Sequence, residues 1–160
     1  MVHVRARVCS LYPFIEDCEF QANVDRAIQA LASLPRFSIV LRRFSYFQHS
    51  AKSATLWLQP TTASNVNDEP SAELIQLQSL LEAAFPFCTE QRTISGSFQP
   101  HLSVGQFGSK IDVERHRDLF QSTWEPIEFD VTCVYFISRI SGDDPFEVHI
   151  KIDRSVIATI

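Results

Sequence analysis

The chain has 160 residues, of which 45% are hydrophobic and 21% are charged, as in an ordinary soluble globular protein. This length predicts a single domain over residues 1–160, and the net charge of −5 argues against binding to long duplex DNA. Residues 1–52 carry a balance of +3 and residues 53–160 a balance of −8, so any basic patch must come from the N-terminal third.

The first half of the chain predicts a strand, a helix and a hairpin, in that order. Valine and alanine alternate with polar residues in the first strand, and apolar residues recur at helical spacing in the helix. A short polar segment separates the two hairpin strands. The elements are a strand over 2–12, a helix over 20–34, and hairpin strands over 36–47 and 53–59.

The second half predicts two helices and three strands. Asp68 is expected to cap the first of these helices, and Ser109 the second. A polar loop over 87–97 is long enough to be functional. The elements are a helix over 70–85, a strand over 101–107, a helix over 110–124, and strands over 127–139 and 146–153.

The four cysteines, Cys9, Cys18, Cys88 and Cys133, contain no C-x-x-C pair, which argues against a zinc site or a redox motif. The sequence shows no signal-peptide core and no apolar run that would span a bilayer. We therefore expect an intracellular, cytoplasmic protein that does not bind membranes. The first strand starts at the second residue, which leaves open whether the chain is a fragment of a longer protein.

The segment PHLSVGQF at residues 100–107 has the clearest chemical potential. Strand alternation places His101 and Ser103 on one face, about 7 Å apart. An imidazole that titrates near neutrality beside a small hydroxyl suits proton transfer around a phosphate. The alternative interpretation is a histidine whose hydrogen bonds are satisfied by its neighbours at a strand end.

Two segments of the chain echo each other, RVCSLYPF at residues 7–14 and HLSVGQF at residues 101–107. Each predicts a strand that ends in a turn and a phenylalanine, followed by a helix and two strands. This layout is typical of a duplicated α+β unit with two motifs facing a shared cleft.

The repeated motifs resemble those of the 2H phosphoesterase superfamily, also called the 2′-5′ RNA ligase-like family. The resemblance covers nearly the whole chain and includes LYPF, FSYF, ATLWLQP, PHLSVGQF and a late ISR…PF segment. It implies an α+β fold with two pseudo-symmetric lobes, antiparallel sheets lining a central cleft, and helices on the outside.

The same resemblance implies the reaction. Members of the family cleave or transfer 2′,3′-cyclic or 2′-5′ phosphates without a metal or another cofactor, using one motif histidine as base and the other as acid. The expected ligands are RNA ends or small nucleotides, and we expect a monomer.

The first motif departs from the family pattern, because the expected histidine falls on Arg7 and the expected Ser/Thr on Cys9. Arg7 can clamp a phosphate, but it does not exchange a proton near neutral pH. His3 lies about 13 Å away along an extended strand, so its direct replacement of the missing histidine would need a bulge or a shift in register. The sequence leaves open a weakened or one-histidine phosphodiesterase and an inactive nucleotide-binding or protein-interaction module.

The predicted site combines His101 as acid or base with Ser103 as a ligand of phosphate oxygen. Tyr46 and Trp57 could stack on a base, with core packing as the alternative for each. Arg139 could reach a phosphate or pair with a nearby aspartate. His49, His116 and His149 are expected to be solvated or structural. The candidates for binding phosphate or nucleotide are Arg7, Cys9, Tyr12, Tyr46, Trp57, Gln106 and Arg139.

Overall fold

The structure is a computed structural model that describes residues 8–64, 68–88, 96–141 and 144–154. Within these ranges the chain forms helices and strands in a mixed order, preceded by two short 3₁₀ turns at Asp17–Glu19 and Gln21–Asn23. The helices are α1 (Val24–Leu31), α2 (Ala72–Ala84) and α3 (Lys110–Gln121). The strands are β1 (Ser38–Ser50), β2 (Ser53–Thr62), β3 (Leu102–Phe107), β4 (Ile127–Asp130), β5 (Cys133–Ser138) and β6 (Glu147–Asp153).

The strands form a four-stranded sheet in the order β3-β2-β1-β4 and a two-stranded sheet of β5 and β6. The pairs β1–β2, β2–β3 and β5–β6 are antiparallel. The prediction of an α+β fold with antiparallel sheets is therefore confirmed. The predicted central cleft stays a prediction.

The chain divides into two compact units, each assembled from three separate segments. The first unit takes Met1–Cys9, Ser38–Ile75 and Gln99–Phe129, and the second takes Ser10–Phe37, Gln76–Phe98 and Asp130–Ile160.

The core of the first unit lies between one face of the four-stranded sheet and α3. Val113 of α3 is fully buried there, and the Trp124 indole N–H donates to the Leu41 carbonyl oxygen at 2.8 Å. The Ser109 hydroxyl accepts a hydrogen bond from the Asp112 N–H at 3.1 Å, as predicted, so α3 has a capped N-terminus. The buried sheet residues are Leu41, Phe44, Ala54, Leu56, Leu58 and Leu102.

A β-bulge at Arg42 interrupts the pairing of β1 with β2, and the side chain of Gln121 forms hydrogen bonds with the backbone there. The register steps from Leu41 paired with Pro60 to residue 43 paired with residue 59. Gln121 accepts a hydrogen bond from the Phe44 N–H at 2.8 Å and donates one to the Arg42 carbonyl oxygen at 3.0 Å. One amide thus satisfies two backbone groups beside the bulge.

The core of the second unit is rich in phenylalanine. The Phe14 ring lies 4.9 Å from Phe85 and 5.0 Å from Phe136, both edge-on, and Phe20 lies 5.4 Å from Phe136. These contacts favour edge-to-face packing, which suits the quadrupole of an aromatic ring. The aliphatic members of this core include Leu31, Leu34, Leu77, Leu81 and Ile152.

Arg154 is a buried cation in the second unit, with 4% of its surface exposed. Its guanidinium donates to the carbonyl oxygens of Val131, Leu34 and Pro35 at 2.8–3.1 Å and lies over the ring of Phe37. Burial lowers the pKa of Arg154 from its usual value. The planar fork of arginine satisfies three carbonyls that no single ammonium would reach together.

Several predicted boundaries differ from the structure. Residues 1–7 of the first predicted strand lie outside the described residues, and residues 8–12 are not strand. The helix predicted over 20–34 is shortened to α1, after two 3₁₀ turns. The strand predicted over 127–139 is split into β4 and β5, because Val131 donates instead to the Phe37 carbonyl oxygen.

The predicted capping role of Asp68 is wrong. Asp68 has a positive φ of 54° and lies outside the helix, where it pairs with the Arg43 guanidinium at 2.8 Å. The Ser71 hydroxyl accepts a hydrogen bond from the Leu74 N–H at 3.3 Å and occupies the capping position of α2.

Candidate functional site

His101 lies at the start of β3, against a pair of aromatic side chains from β1 and β2. The rings of Phe47 and Trp57 stack with centroids 4.9 Å apart, and the imidazole meets them edge-on at 5.0 and 6.0 Å. The Nδ1 atom of His101 lies 2.8 Å from the carbonyl oxygen of Gln99. Because a carbonyl oxygen only accepts hydrogen bonds, Nδ1 carries a proton and Nε2 is left for chemistry.

A second β-bulge lies in β3, one residue after the predicted serine of the motif. Ser103 pairs with Trp57, whereas Gly105 pairs with Leu56, so Val104 is an extra residue in the ladder. The Ser103 side chain is exposed on the face that carries Trp57. Each side chain after Val104 therefore points to the opposite face of the sheet from the one it would take in a regular strand.

The bulge brings Gln106 to the same face as His101 and Ser103. Gln106 pairs with Thr55, which lies two residues from Trp57 on β2 and hence on the same face. This face, defined by His101, Ser103, Gln106, Thr55 and Trp57, is called the histidine face below. Gln106 would have pointed into the core of the first unit had β3 been regular.

Three polar side chains on the histidine face form a hydrogen-bonded chain. The Thr55 hydroxyl donates to Gln106 Oε1 at 3.0 Å and lies 2.8 Å from His49 Nε2. A hydroxyl has one proton, so Thr55 accepts from His49, whose Nε2 must carry a proton. Thr55 is 5% exposed, whereas His49 and Gln106 are exposed. His49 was expected to be solvated, and its bond to Thr55 could not be predicted without the strand register.

Tyr46, a candidate for stacking on a base with core packing as the alternative, lies on the opposite face of the sheet from His101. It pairs with Leu56 and packs against the core of the first unit. Its hydroxyl donates to Glu114 of α3 at 2.7 Å, and this hydrogen bond to a carboxylate raises the pKa of Tyr46. The structure does not bring Tyr46 together with His101.

Trp57 lies on the histidine face, but its ring is 4% exposed and stacks on Phe47. The packing alternative weighed from the sequence describes this environment better than base stacking does. The indole N–H of Trp57 is buried and has no acceptor within the part of the chain that the structure describes.

The other predicted binding residues fall into different parts of the structure. Arg7 lies outside the described residues. Cys9 is exposed and belongs to the first unit, as His101 does. Tyr12, half exposed, and Arg139 belong to the second unit, where the Arg139 guanidinium lies 4.5 Å from the centroid of Phe146. Their joint use with His101 stays a prediction.

A second histidine–hydroxyl pair, in the second unit, was missed from the sequence. His149 Nε2 lies 2.8 Å from the Ser138 hydroxyl across β5 and β6, and the His149 ring meets Phe20 edge-on at 5.6 Å. No motif joins these residues, because they meet only through the pairing of two distant strands. Only the pairing register of β5 with β6 would have predicted that these two residues meet.

Arg42 and Arg43, the two arginines of the N-terminal third that the structure describes in the first unit, do not form an open basic patch. Arg43 and Arg42 approach Asp68, and Arg117 pairs with Asp118 at 2.8 Å. These side chains line an open groove of about 490 Å³. Each arginine of the groove faces an aspartate, so the groove is not strongly basic.

Residues 8–64, 68–88, 96–141 and 144–154 contain neither a candidate metal site nor a helix that could span a membrane. No group of three or more His, Cys, Asp and Glu side chains there could hold a metal ion. No helix there is both long enough and apolar enough to cross a membrane.

The chain matches a known protein family. A model described as the 2'-5' RNA ligase superfamily matches residues 3–143, a range that includes every site residue predicted from the sequence. Comparisons with curated proteins and with solved structures find no match.

Proposed function

Because the chain belongs to the 2'-5' RNA ligase superfamily, which is the 2H phosphoesterase superfamily, we propose that it is a phosphodiesterase acting on 2′,3′-cyclic or 2′-5′ phosphates of RNA ends or small nucleotides. The observation that carries the proposal is the orientation of His101, whose Nδ1–H is held by the Gln99 carbonyl oxygen. We further propose that residues 1–160 act as one domain, since the family match runs through segments of both units.

His101 moves a proton at Nε2 in the proposed reaction. With Nδ1 protonated, His101 takes one of two roles at Nε2: as the base, neutral His101 takes a proton from the water that attacks phosphorus, or, as the acid, protonated His101 gives its Nε2 proton to the leaving ribose oxygen. Solvent water accepts or supplies the proton on the other side. The bond between phosphorus and water forms as the bond between phosphorus and one ribose oxygen breaks. The edge-on contacts with Phe47 and Trp57 hold the imidazole in place.

Ser103 and Arg7 bind the phosphate in this proposal. The exposed Ser103 hydroxyl, on the same face as His101, donates to a non-bridging oxygen. Arg7 contributes permanent positive charge through a planar fork that matches phosphate geometry. Cys9, Tyr12, Gln106 and Arg139 stay candidates for further contacts with the nucleotide.

The proposed enzyme lacks one of the two histidines of the family pattern. Loss of one member of an acid–base pair typically lowers the rate about 10²–10⁴-fold. Water must replace the missing group, and we expect slow turnover with phosphate binding retained.

The test is hydrolysis of the four nucleoside 2′,3′-cyclic monophosphates in EDTA by the wild type, His101→Ala and Arg7→His. We expect slow wild-type turnover that falls at least about 100-fold in His101→Ala and rises in Arg7→His, which restores a titratable group. His116→Ala, which changes a half-buried histidine on α3, serves as the matched control and should keep wild-type activity. Equal rates for the wild type and His101→Ala would contradict the proposal.

An inactive nucleotide-binding module is the second candidate, and the presence of Arg7 in place of the motif histidine favours it. Such a module would bind nucleoside monophosphates saturably without turnover in the wild type. A protein-interaction module would show neither turnover nor saturable binding of nucleotides.

A further inference from the structure

The amide of Gln106 is oriented by the side chains behind it. Its Oε1 accepts the Thr55 hydroxyl proton, and Thr55 in turn accepts the proton of His49 Nε2. Thr55 is buried whereas Gln106 is exposed, so the hydroxyl holds the oxygen end of the amide against the sheet. The amide nitrogen is therefore the end of Gln106 that faces outward, and it offers two hydrogens.

The position of Gln106 fits a contact with the nucleoside rather than with the phosphate. Ser103 and Gln106 pair with Trp57 and Thr55, which are two positions apart on β2, so the two side chains leave the sheet about 7 Å apart. At this spacing, a nucleotide whose phosphate is bound at Ser103 can reach Gln106 with its base.

We propose that Gln106 selects the base by donating a hydrogen bond to the carbonyl oxygen that uracil and guanine carry in place of an amino group. Thr55 and His49 are positioning residues that keep the amide turned as a donor. The proposal rests on the proposed function, because it needs a phosphate held at Ser103. Uracil and guanine present a carbonyl oxygen where cytosine and adenine present an amino group. The site therefore prefers uridine and guanosine over adenosine and cytidine nucleotides.

The experiment measures the dissociation constants of uridine 2′-monophosphate, adenosine 2′-monophosphate and inorganic phosphate by calorimetry. The wild type should bind the uridine nucleotide roughly tenfold more tightly than the adenosine nucleotide, the effect of one hydrogen bond. Gln106→Met, which keeps the length of the side chain without its donors, should abolish this preference. Gln76→Met, at an exposed position on α2, is the control and should behave as the wild type.

Thr55→Val tests the positioning role, because valine has the shape of threonine and no hydroxyl. Without the hydroxyl the amide is free to turn, and we expect the preference for uridine to fall toward unity while phosphate binding is kept. Thr55→Ser restores the hydroxyl and should restore the preference, which separates positioning from simple loss of stability.

The outcomes separate this inference from the proposed function. Equal binding of the two nucleotides by the wild type, or an unchanged preference in Thr55→Val, would overturn the inference alone. If the wild type prefers uridine but does not bind inorganic phosphate, the base contact does not depend on a phosphate at Ser103, and both the inference in this form and the phosphate site of the proposed function are wrong. Failure to bind all three probes would overturn both.

Discussion

Two histidines on the same side of the four-stranded sheet differ in which ring nitrogen makes a hydrogen bond to the protein. His101 uses Nδ1 to donate to a backbone carbonyl oxygen and keeps Nε2 for a ligand. His49 uses Nε2 to donate to Thr55. A backbone carbonyl stays in place during a reaction, whereas a hydroxyl can turn. His101 is therefore suited to proton transfer, and His49 to holding other side chains in position.

Glu73 is a residue whose protonation should affect stability. Burial alone would raise the pKa of Glu73, but hydrogen bonds from the Thr62 hydroxyl, its own backbone N–H and the Ser71 hydroxyl outweigh it, so the pKa lies below its usual value. A carboxyl whose pKa is lower in the folded state stabilises the fold at pH values above its unfolded pKa. That stabilisation is lost as the pH falls through the folded pKa.

We therefore predict that Glu73→Gln lowers the free energy of unfolding at neutral pH by about 1 kcal/mol or less, because solvent screens a half-exposed carboxylate. The difference in unfolding free energy between Glu73→Gln and the wild type should shrink as the pH falls below 4.5, the usual pKa of a glutamate. Urea unfolding between about pH 3 and pH 7 measures it. Glu125→Gln, at an exposed position, is the control, and a difference that does not vary with pH would contradict the prediction.

At the scale of elements, the sequence predicted the hairpin, the capped helix α3 and the shared face of His101 and Ser103, because these depend on local spacing. It did not predict the bulges at Arg42 and Val104, because an extra residue is visible only when the partner strand is known. The position of Gln106 followed from that bulge. Tyr46 could have been placed correctly, since alternation from the apolar Phe44 puts both side chains in the core.

The Arg42 bulge provides a prediction about Gln121, whose amide serves two backbone groups beside it. Gln121→Leu should lower the free energy of unfolding by about 1–2 kcal/mol, because both groups then depend on solvent alone. Gln121→Glu keeps the acceptor for the Phe44 N–H and should cost less. Urea unfolding measures both, with Gln76→Leu as the control. A loss in Gln121→Leu no larger than in the control would show that water replaces the amide at no cost.

At the scale of the whole molecule, each unit has its own buried core, one of aliphatic side chains around a sheet and one dominated by phenylalanine. The cysteines are distributed unequally with respect to these cores. Cys88 is buried in the core of the second unit, whereas Cys9 and Cys18 are exposed. Burial raises the pKa of the Cys88 thiol, which keeps it in its unreactive form.

Thiol labelling should therefore report the opening of the second unit. With an excess of a chromogenic disulfide reagent, Cys9 and Cys18 should react first, and Cys88 at least about 100-fold more slowly, because it needs local unfolding. Phe136→Leu, which weakens the same core, should speed the slow phase, and Cys88→Ser should remove it. Reaction of Cys88 in the fast phase would contradict the prediction.

The chain passes between the two units five times, because each unit is built from three interleaved segments. A growing polypeptide therefore cannot finish the first unit until Phe129 has left the ribosome, by which time two of the three segments of the second unit have also been made. Neither unit can be obtained by cutting the gene once. Circular permutation at an exposed turn such as residues 51–52 would keep every residue of both units, divide only the segment Ser38–Ile75 and change the order of synthesis, which makes it the suitable way to ask which unit must form first.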